Sequence, residues 1–249
     1  MSTSNKRPIA LIGENPYEYI KNGLLENGFE VVLLPRDNRL APQVSSHADM
    51  LIFTLENTVF CNKAYYENNR SVFERIEEYG YKIDASEFTV SNEYPNDIAL
   101  NQATIEKNII GRKDSCAESI LKHAKLFGYA YKNIKQGYAK CSTLVLNENA
   151  IITADKNIVS AAKALGRDSL LIKNGIDEIK LKGYDYGFIG GASTVYNNNV
   201  FFFGNLMLHS QFKEISEFCQ KHGFSTISLG KEALCDIGGA IMLPDISKK

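Results

Sequence analysis

Five glycines punctuate this chain, Gly28, Gly80, Gly128, Gly166 and Gly223, each closing a segment with helical apolar spacing and each leading into a short apolar run. A glycine just past the last helical turn takes the left-handed conformation that ends a helix, so the chain can turn directly into a strand. Four are followed by an aromatic residue, Phe29, Tyr81, Tyr129 and Phe224, placed to pack back onto the helix just left. One supersecondary unit used five times is the simplest reading.

The hairpins upstream of these helices support it. In unit four the run 142–146 and Ala150 to Thr153 flank the polar triplet Asn147-Glu148-Asn149, a hairpin signal, and Ile158, Ala161, Ala162 and Leu165 follow at helical spacing. Unit five repeats the order with Ser193 to Tyr196, the turn Asn197-Asn198-Asn199, Val200 to Phe203, and a helix carrying Phe212, Ile215 and Phe218. Unit two is expected to run from Met50 to Leu55, turn at Glu56-Asn57 and return through Thr58 to Phe60. Unit three is expected to begin at Ile98-Ala99-Leu100 and turn near Asn101-Gln102. The remaining unit is split, with Ile237 to Leu243 as its first strand and Pro8 to Leu34 as the rest. The two ends of the chain should therefore pair, removing two sheet edges at once. Starts recur about every 40–50 residues, within the range of propellers and arrays. The expectation is one α/β domain over residues 1–249, with Pro35 to Ser46 and Ser86 to Pro95 as connectors.

Composition narrows the function classes. The chain of 249 residues has 28 Lys plus Arg against 29 Asp plus Glu, leaving no cationic excess to neutralise a phosphate backbone, so nucleic acid is not an expected partner. No apolar run approaches the ~18 residues of a membrane span, and the first eight residues hold no apolar signal core. A cytoplasmic protein without membrane contact is expected. Cys61, Cys116, Cys141, Cys219 and Cys235 are odd in number, scattered and without CxxC spacing, so neither a disulfide framework nor a structural zinc pattern is read; no cofactor is expected. Nothing in the helix spacing sets an oligomeric state.

The phrases SHADMLIFTLENTVF (46–60), NDIALN (96–101), GYAKCSTLVLNENAIITADKNI (137–158), FIGGASTVYNNNVFFFGN (188–205) and CDIGGAIMLP (235–244), with the repeat order, resemble the pentein fold of guanidino-group-modifying enzymes. They look most like a bacterial branch of that superfamily with no assigned activity. The resemblance implies a closed five-bladed α/β propeller of ββαβ units, the first blade shared between the termini. It implies an active site at one end of the ring, near Asp49, Asp97, Lys140 to Ser142, Gly190 to Ser193 and Cys235 to Ala240. The family's chemistry is a cysteine thiolate attacking a guanidinium carbon, helped by a histidine, with carboxylates holding the cation.

The carry-over is partial. Where the family places its nucleophile this chain has Gly238-Gly239-Ala240-Ile241, with Cys235 a few residues upstream; where the histidine belongs it has Ala139-Lys140-Cys141-Ser142. Cys235 and Cys141 are the candidate nucleophiles, and a low thiol pKa would be needed, for which Lys140 beside Cys141 is a cause. His47, two residues before Asp49, is the candidate base, although its polar neighbours favour a surface loop. Asp49, Asp97 and Asp236 could grip a planar cation through charge-assisted bonds. Each Asp could instead cap a turn, and each Cys could be a small buried hydrophobe. The Ile-Gly-Gly-Ala segments at 189–192 and 237–240 lead into hairpins, so their glycines serve close backbone approach rather than phosphate binding. Two functions remain: a protein binding a small guanidino or amidino cation, with Cys-dependent hydrolase or amidinotransferase chemistry, or a non-catalytic interaction protein of the same fold.

Overall fold

All five helix-ending glycines adopt left-handed backbone, with φ between +71° and +90°. Behind four of them the next residue's amide returns to the carbonyl five residues back: Phe29 to Leu24, Tyr129 to Ala124, Arg167 to Ala162 and Phe224 to Cys219. A computed structural model describes residues 6–14, 17–175 and 178–248. Its elements follow the repeat.

Unit one contains β1 (Ile9–Gly13), α1 (Glu18–Glu26) and β2 (Glu30–Leu34). Unit two opens with a helical turn, α2 (Ala48–Leu51), followed by β3 (Ile52–Leu55), β4 (Thr58–Asn62), α3 (Lys63–Asn68), α4 (Arg70–Glu77) and β5 (Lys82–Ser86). Unit three has β6 (Ala103–Ile105), β7 (Asn108–Gly111), α5 (Glu118–Leu126) and β8 (Ala130–Asn133). Unit four has β9 (Thr143–Asn147), β10 (Ala150–Thr153), α6 (Lys156–Ala164) and β11 (Asp168–Leu171). After a short β12 (Ile179–Lys180), unit five has β13 (Ser193–Tyr196), β14 (Asn199–Phe202), α7 (Phe212–Lys221) and β15 (Ser225–Ser228). The chain closes through β16 (Leu234–Cys235) and β17 (Ile241–Leu243).

Each unit forms its own three-stranded sheet, with the middle strand antiparallel to the first and parallel to the last; β12 and β16 make a separate pair. The split unit is completed as expected, since β17 pairs antiparallel with β1 in the register Ile9–Leu243, Ala10–Met242 and Leu11–Ile241. Three first strands begin later than the sequence suggests, that of the split unit at Ile241 rather than Ile237 because Gly238 and Gly239 take left-handed backbone. Residues 98–102 are a turn, with the Asn101 amide bonded to the Ile98 carbonyl and Gln102 to Leu100, and the unit-three hairpin turns at Glu106 with φ +52°. That loop, Glu106-Lys107, lacks the Asn or Gly that marks such turns, while the apolar triplet at 98–100 is buried without being a strand. Met50 likewise lies in α2, its amide bonded to the His47 carbonyl.

The hydrophobic interior is divided into five clusters, each between two units. Leu11, Leu34, Val59 and Phe73 join units one and two. Phe60, Leu55, Ile109 and Ile120 join two and three. Ile105, Ile110, Ile151 and Ile158 join three and four. Leu144, Ile152, Phe202 and Ile215 join four and five. Ile12, Leu24, Phe201 and Phe203 join five and one. Alternation along the middle strands does this: Val59 and Cys61 face one cluster and Phe60 the next, just as Ile151 faces away from Ala150 and Ile152. Both faces of each middle strand are thus buried, which is why these strands read as continuous apolar runs. Among the described residues no helix is long and apolar enough to cross a membrane.

The inner ends of the units meet without room for side chains at the glycine pairs. A Cβ on Gly190 would sit 2.3 Å from the Lys140 carbonyl oxygen and 2.4 Å from that of Thr143. At Gly28, by contrast, nothing lies within 4 Å, and only the left-handed backbone disfavours a side chain. Gly28→Ala should therefore cost about 1–2 kcal/mol and Gly190→Ala about 3 kcal/mol or more. Urea denaturation of the two variants checks this; equal losses would mean that the close approach at Gly190 is not structurally required.

Candidate functional site

The turns that precede the first strands carry the polar residues of the interior. His47 precedes α2, Asp49 lies in its first turn, and the Asp49 amide donates to the Gly238 carbonyl at 3.2 Å, tying unit two to the C-terminal turn. Gly238 has φ +77° and would place a Cβ 2.3 Å from that of His47, so the residue facing the histidine must be glycine. Asn101, wholly buried, accepts from the Lys140 and Cys141 amides at 2.9 and 3.2 Å through its side-chain oxygen. Its amide nitrogen donates to the Cys141 sulfur at 3.1 Å. The Cys141 carbonyl in turn accepts from the Gly191 amide, and the Gly191 carbonyl from Ile237 and Gly239. Turns from units two, three, four, five and one are thereby linked.

The fold brings four of the seven candidates into one cluster. Cys141 Sγ donates to Asp49 Oδ2 at 2.9 Å, although the residues are 92 positions apart. His47 Nδ1 stands 3.8 Å from Asp236 Oδ1. One atom each from His47, Asp49 and Cys141 lie within 4.8 Å of one another. His47 is only 4% exposed, correcting the surface-loop expectation; the helical turn α2 draws it inward beneath Gly238. Asp236 accepts from the Phe188 amide at 2.8 Å and the Gly238 amide at 2.9 Å, which fixes its carboxylate. His47 Nδ1 and Asp49 Oδ1 are buried without a hydrogen-bond partner.

The other three candidates lie around this cluster. Asp97 Oδ2 accepts from the Tyr138 hydroxyl at 2.5 Å, so Asp97 acts behind an aromatic wall. Cys235 borders a different cavity of about 240 Å3, beside Tyr17 and Arg36, which shares only His47, Leu181 and Asp236 with the first. Lys140 is half-buried and lines a third space with Thr54 and Ser193. Above the cluster is a cavity of about 250 Å3, walled by Tyr138, Tyr184, Tyr186 and Phe188, with Cys141, His47 and Asp236 on its lining. Tyr138 stacks on Phe188 with ring centres 6.4 Å apart, and Tyr186 meets Phe188 edge-on at 5.9 Å. Sequence reading passed over Asn101 and these aromatics; the alternation Tyr184, Tyr186, Phe188 was the available signal.

Burial dominates the electrostatics. It pushes the Asp49 carboxyl up to about 7, against the pull of the Lys140 ammonium, with Asp236 adding to the rise and the Cys141 hydrogen bond opposing it. Burial, then the Asp49 and Asp236 charges, raises the Cys141 thiol well above its ordinary value. Burial lowers His47, against the opposing charge of Asp236. Cys235 is also raised by burial, with the Tyr17 hydroxyl working the other way. At neutral pH the cluster therefore rests with a neutral thiol, a neutral imidazole and a carboxyl near its midpoint.

The Asp49 shift fixes a sign for stability. A carboxyl raised in the folded state keeps its proton between its ordinary value of about 4 and 7 while the unfolded chain releases it, so its contribution is complete below about 4 and lost as pH rises to 7. His47 acts oppositely below its ordinary value, and that effect cancels when wild type and Asp49→Asn are compared. Wild type should lose stability relative to Asp49→Asn across this window by at most about 1.4 kcal/mol per pH unit, and not above it. Parallel profiles in denaturant melts at successive pH values would show Asp49 to be unperturbed.

The family model described as "Family of unknown function (DUF6873)" matches residues 11–241. No curated protein matches the sequence. Among solved structures, a dimethylarginine dimethylaminohydrolase from Pseudomonas aeruginosa, complexed with citrulline, is similar at 12% identity and TM-score 0.58, over 96% of this chain and 99% of that one. An amidinotransferase from Microseira wollei is similar at 11% identity and TM-score 0.58, covering 98% and 96%. An inosamine-phosphate amidinotransferase from Streptomyces griseus gives 10% and 0.60, covering 93% and 79%. At such identities the shared property is the fold.

Proposed function

For this chain, which belongs to the DUF6873 family and has the pentein fold of guanidino-group-modifying enzymes, we propose binding of a small guanidinium or amidinium cation in the aromatic-walled cavity. In this reading the five units are blades of a closed propeller, supported by the cyclic series of shared cores, and the whole chain is a single domain whose mouth is that cavity. The observation that carries the proposal is the pairing of carboxylates and rings: Asp236 lines the cavity, Asp49 lies directly behind the Cys141 sulfur on that lining, and Tyr138, Tyr184, Tyr186 and Phe188 form the sides. A planar cation gains charge-assisted bonds from the first and cation–π attraction from the second. Asp49 Oδ1, buried and unpartnered, is the acceptor left open for such a ligand.

Chemistry on the bound cation would run through Cys141. Its Sγ forms a bond to the amidinium carbon while its proton passes to Asp49, already its hydrogen-bond partner, and from there to the departing amine. Water, or a second amine, then cleaves the carbon–sulfur bond and restores the thiol, giving hydrolysis or amidino transfer. The thiol that burial keeps neutral needs a positive charge beside it to ionise, and the ligand supplies one. Cys235, on the far side of His47 and Asp236 and bordering the other cavity, would take no part.

Methylguanidinium is a suitable probe because it keeps its charge at all working pH values. Its affinity should rise between pH 6 and 8 as Asp49 gives up its proton, with proton release visible in calorimetry. Asp49→Asn should remove the pH dependence and weaken binding by about 1.5–3 kcal/mol, roughly ten- to hundredfold in Kd. 2-Chloroacetamidine should label Cys141 in a saturable manner and faster than Cys61. No binding by wild type would defeat the proposal; binding with no selective labelling would remove the catalytic part alone.

A further inference from the structure

We propose that His47, Asp49 and Cys141 form a binding site for a divalent transition metal, zinc by preference, with its open position toward the aromatic cavity. The three residues offer an imidazole nitrogen, a carboxylate oxygen and a sulfur, all buried and within 4.8 Å of one another. That mixture of donors is the one zinc favours, and three protein ligands with a fourth position open is the arrangement of sites that accept a further molecule. Cys141 and His47 both border the cavity, so the fourth position opens there.

A second observation points to a missing partner. His47 Nδ1 and Asp49 Oδ1 are buried and make no hydrogen bond, on residues that are almost wholly enclosed. Buried polar atoms are normally satisfied, and two orphans on neighbouring ligand-type side chains mark a place where something binds. Charge balance favours a divalent ion: on binding, the Cys141 S–H bond breaks and any proton held on Asp49 is displaced, both protons leaving to solvent as the sulfur–metal and carboxylate–metal bonds form. The thiolate and the Asp49 carboxylate then carry two negative charges against the ion's two positive ones. Asp236, held by the Phe188 and Gly238 amides with Oδ1 3.8 Å from His47 Nδ1, is a further carboxylate at the edge of the site.

The site was invisible to spacing rules because its donors come from two units and are 92 residues apart in sequence. Occupied, it would withdraw Cys141 from nucleophilic use, so metal and amidine chemistry would exclude one another. The metal site stands apart from the cation proposal, since it is read by metal binding alone.

Cobalt(II) is the probe. Titrated into metal-free protein, it should bind one equivalent and give a thiolate-to-cobalt charge-transfer band, displaced by zinc. Cys141→Ser should abolish the band and His47→Ala should weaken zinc binding by about 100-fold or more. Cys235→Ser should leave both unchanged, and circular dichroism should show each variant folded. Cobalt that binds without a thiolate band, a band that survives Cys141→Ser, or no binding at micromolar metal would each overturn the site, whatever the result with methylguanidinium.

Discussion

The middle strand of each unit is shared between two cores, and the rest of the structure depends on that division. Odd and even residues of a strand point to opposite sides, so β10 gives Ile151 to the cluster with unit three and Ala150 and Ile152 to the cluster with unit five. No unit can bury both faces of its middle strand alone. Each needs a neighbour on either side, and the first and fifth units satisfy this need through each other. Burial of this kind, at about 25 cal/mol per Å2 of apolar surface, makes neighbouring units cooperative. The β1–β17 ladder then ties the ends of the chain into the same sheet.

This arrangement determines where polar groups can be buried. The apolar middle strands leave polar side chains to the turns before the first strands, and these meet at the inner ends of the units. Glycines at 190 and 238 let those turns approach to backbone contact, Gly191 leaves room for the Asp236 carboxylate, and Asn101 supplies hydrogen bonds that turn amides could not otherwise find. Residues distant in sequence, the His47–Asp49 turn of unit two, Cys141 of unit four and Asp236 near the C-terminus, become neighbours because these turns precede the first strands of different units.

The repeat was legible in the sequence because its signals are local. A helix-ending glycine, an aromatic behind it and an Asn-rich hairpin loop each act within a few residues, and the structure places left-handed backbone at every one of the five glycines. Where a loop lacked those residues, as at Glu106-Lys107, the strand was read five residues early, on the buried but irregular Ile98-Ala99-Leu100. The surroundings of the candidate residues were less legible, since they depend on which turns face each other. The polar neighbours of His47 suggest exposure, yet the helical turn α2 and the bare Gly238 backbone enclose it. Of the aromatic wall, only the alternation of Tyr184, Tyr186 and Phe188 is visible in sequence, and what that alternation faces is recognised only when the turns opposite it are placed.

What the enclosed cluster can do follows from its charges. Asp236 is solvated by two backbone amides, whereas Asp49 has one oxygen bonded to the Cys141 thiol and the other to nothing. A carboxyl so placed prefers to hold a proton, and a thiol beside two carboxyls does too. The resting cluster is therefore stabilised by protons, and any cation that enters must displace them. A planar amidinium, whose charge is spread and whose faces suit aromatic rings, gains from the walls as well as the floor. A compact metal ion gains from the floor alone, through sulfur and imidazole donors that an amidinium cannot exploit. Under the two proposals, the same buried donors would discriminate between two kinds of cation by shape and softness, with proton release common to both.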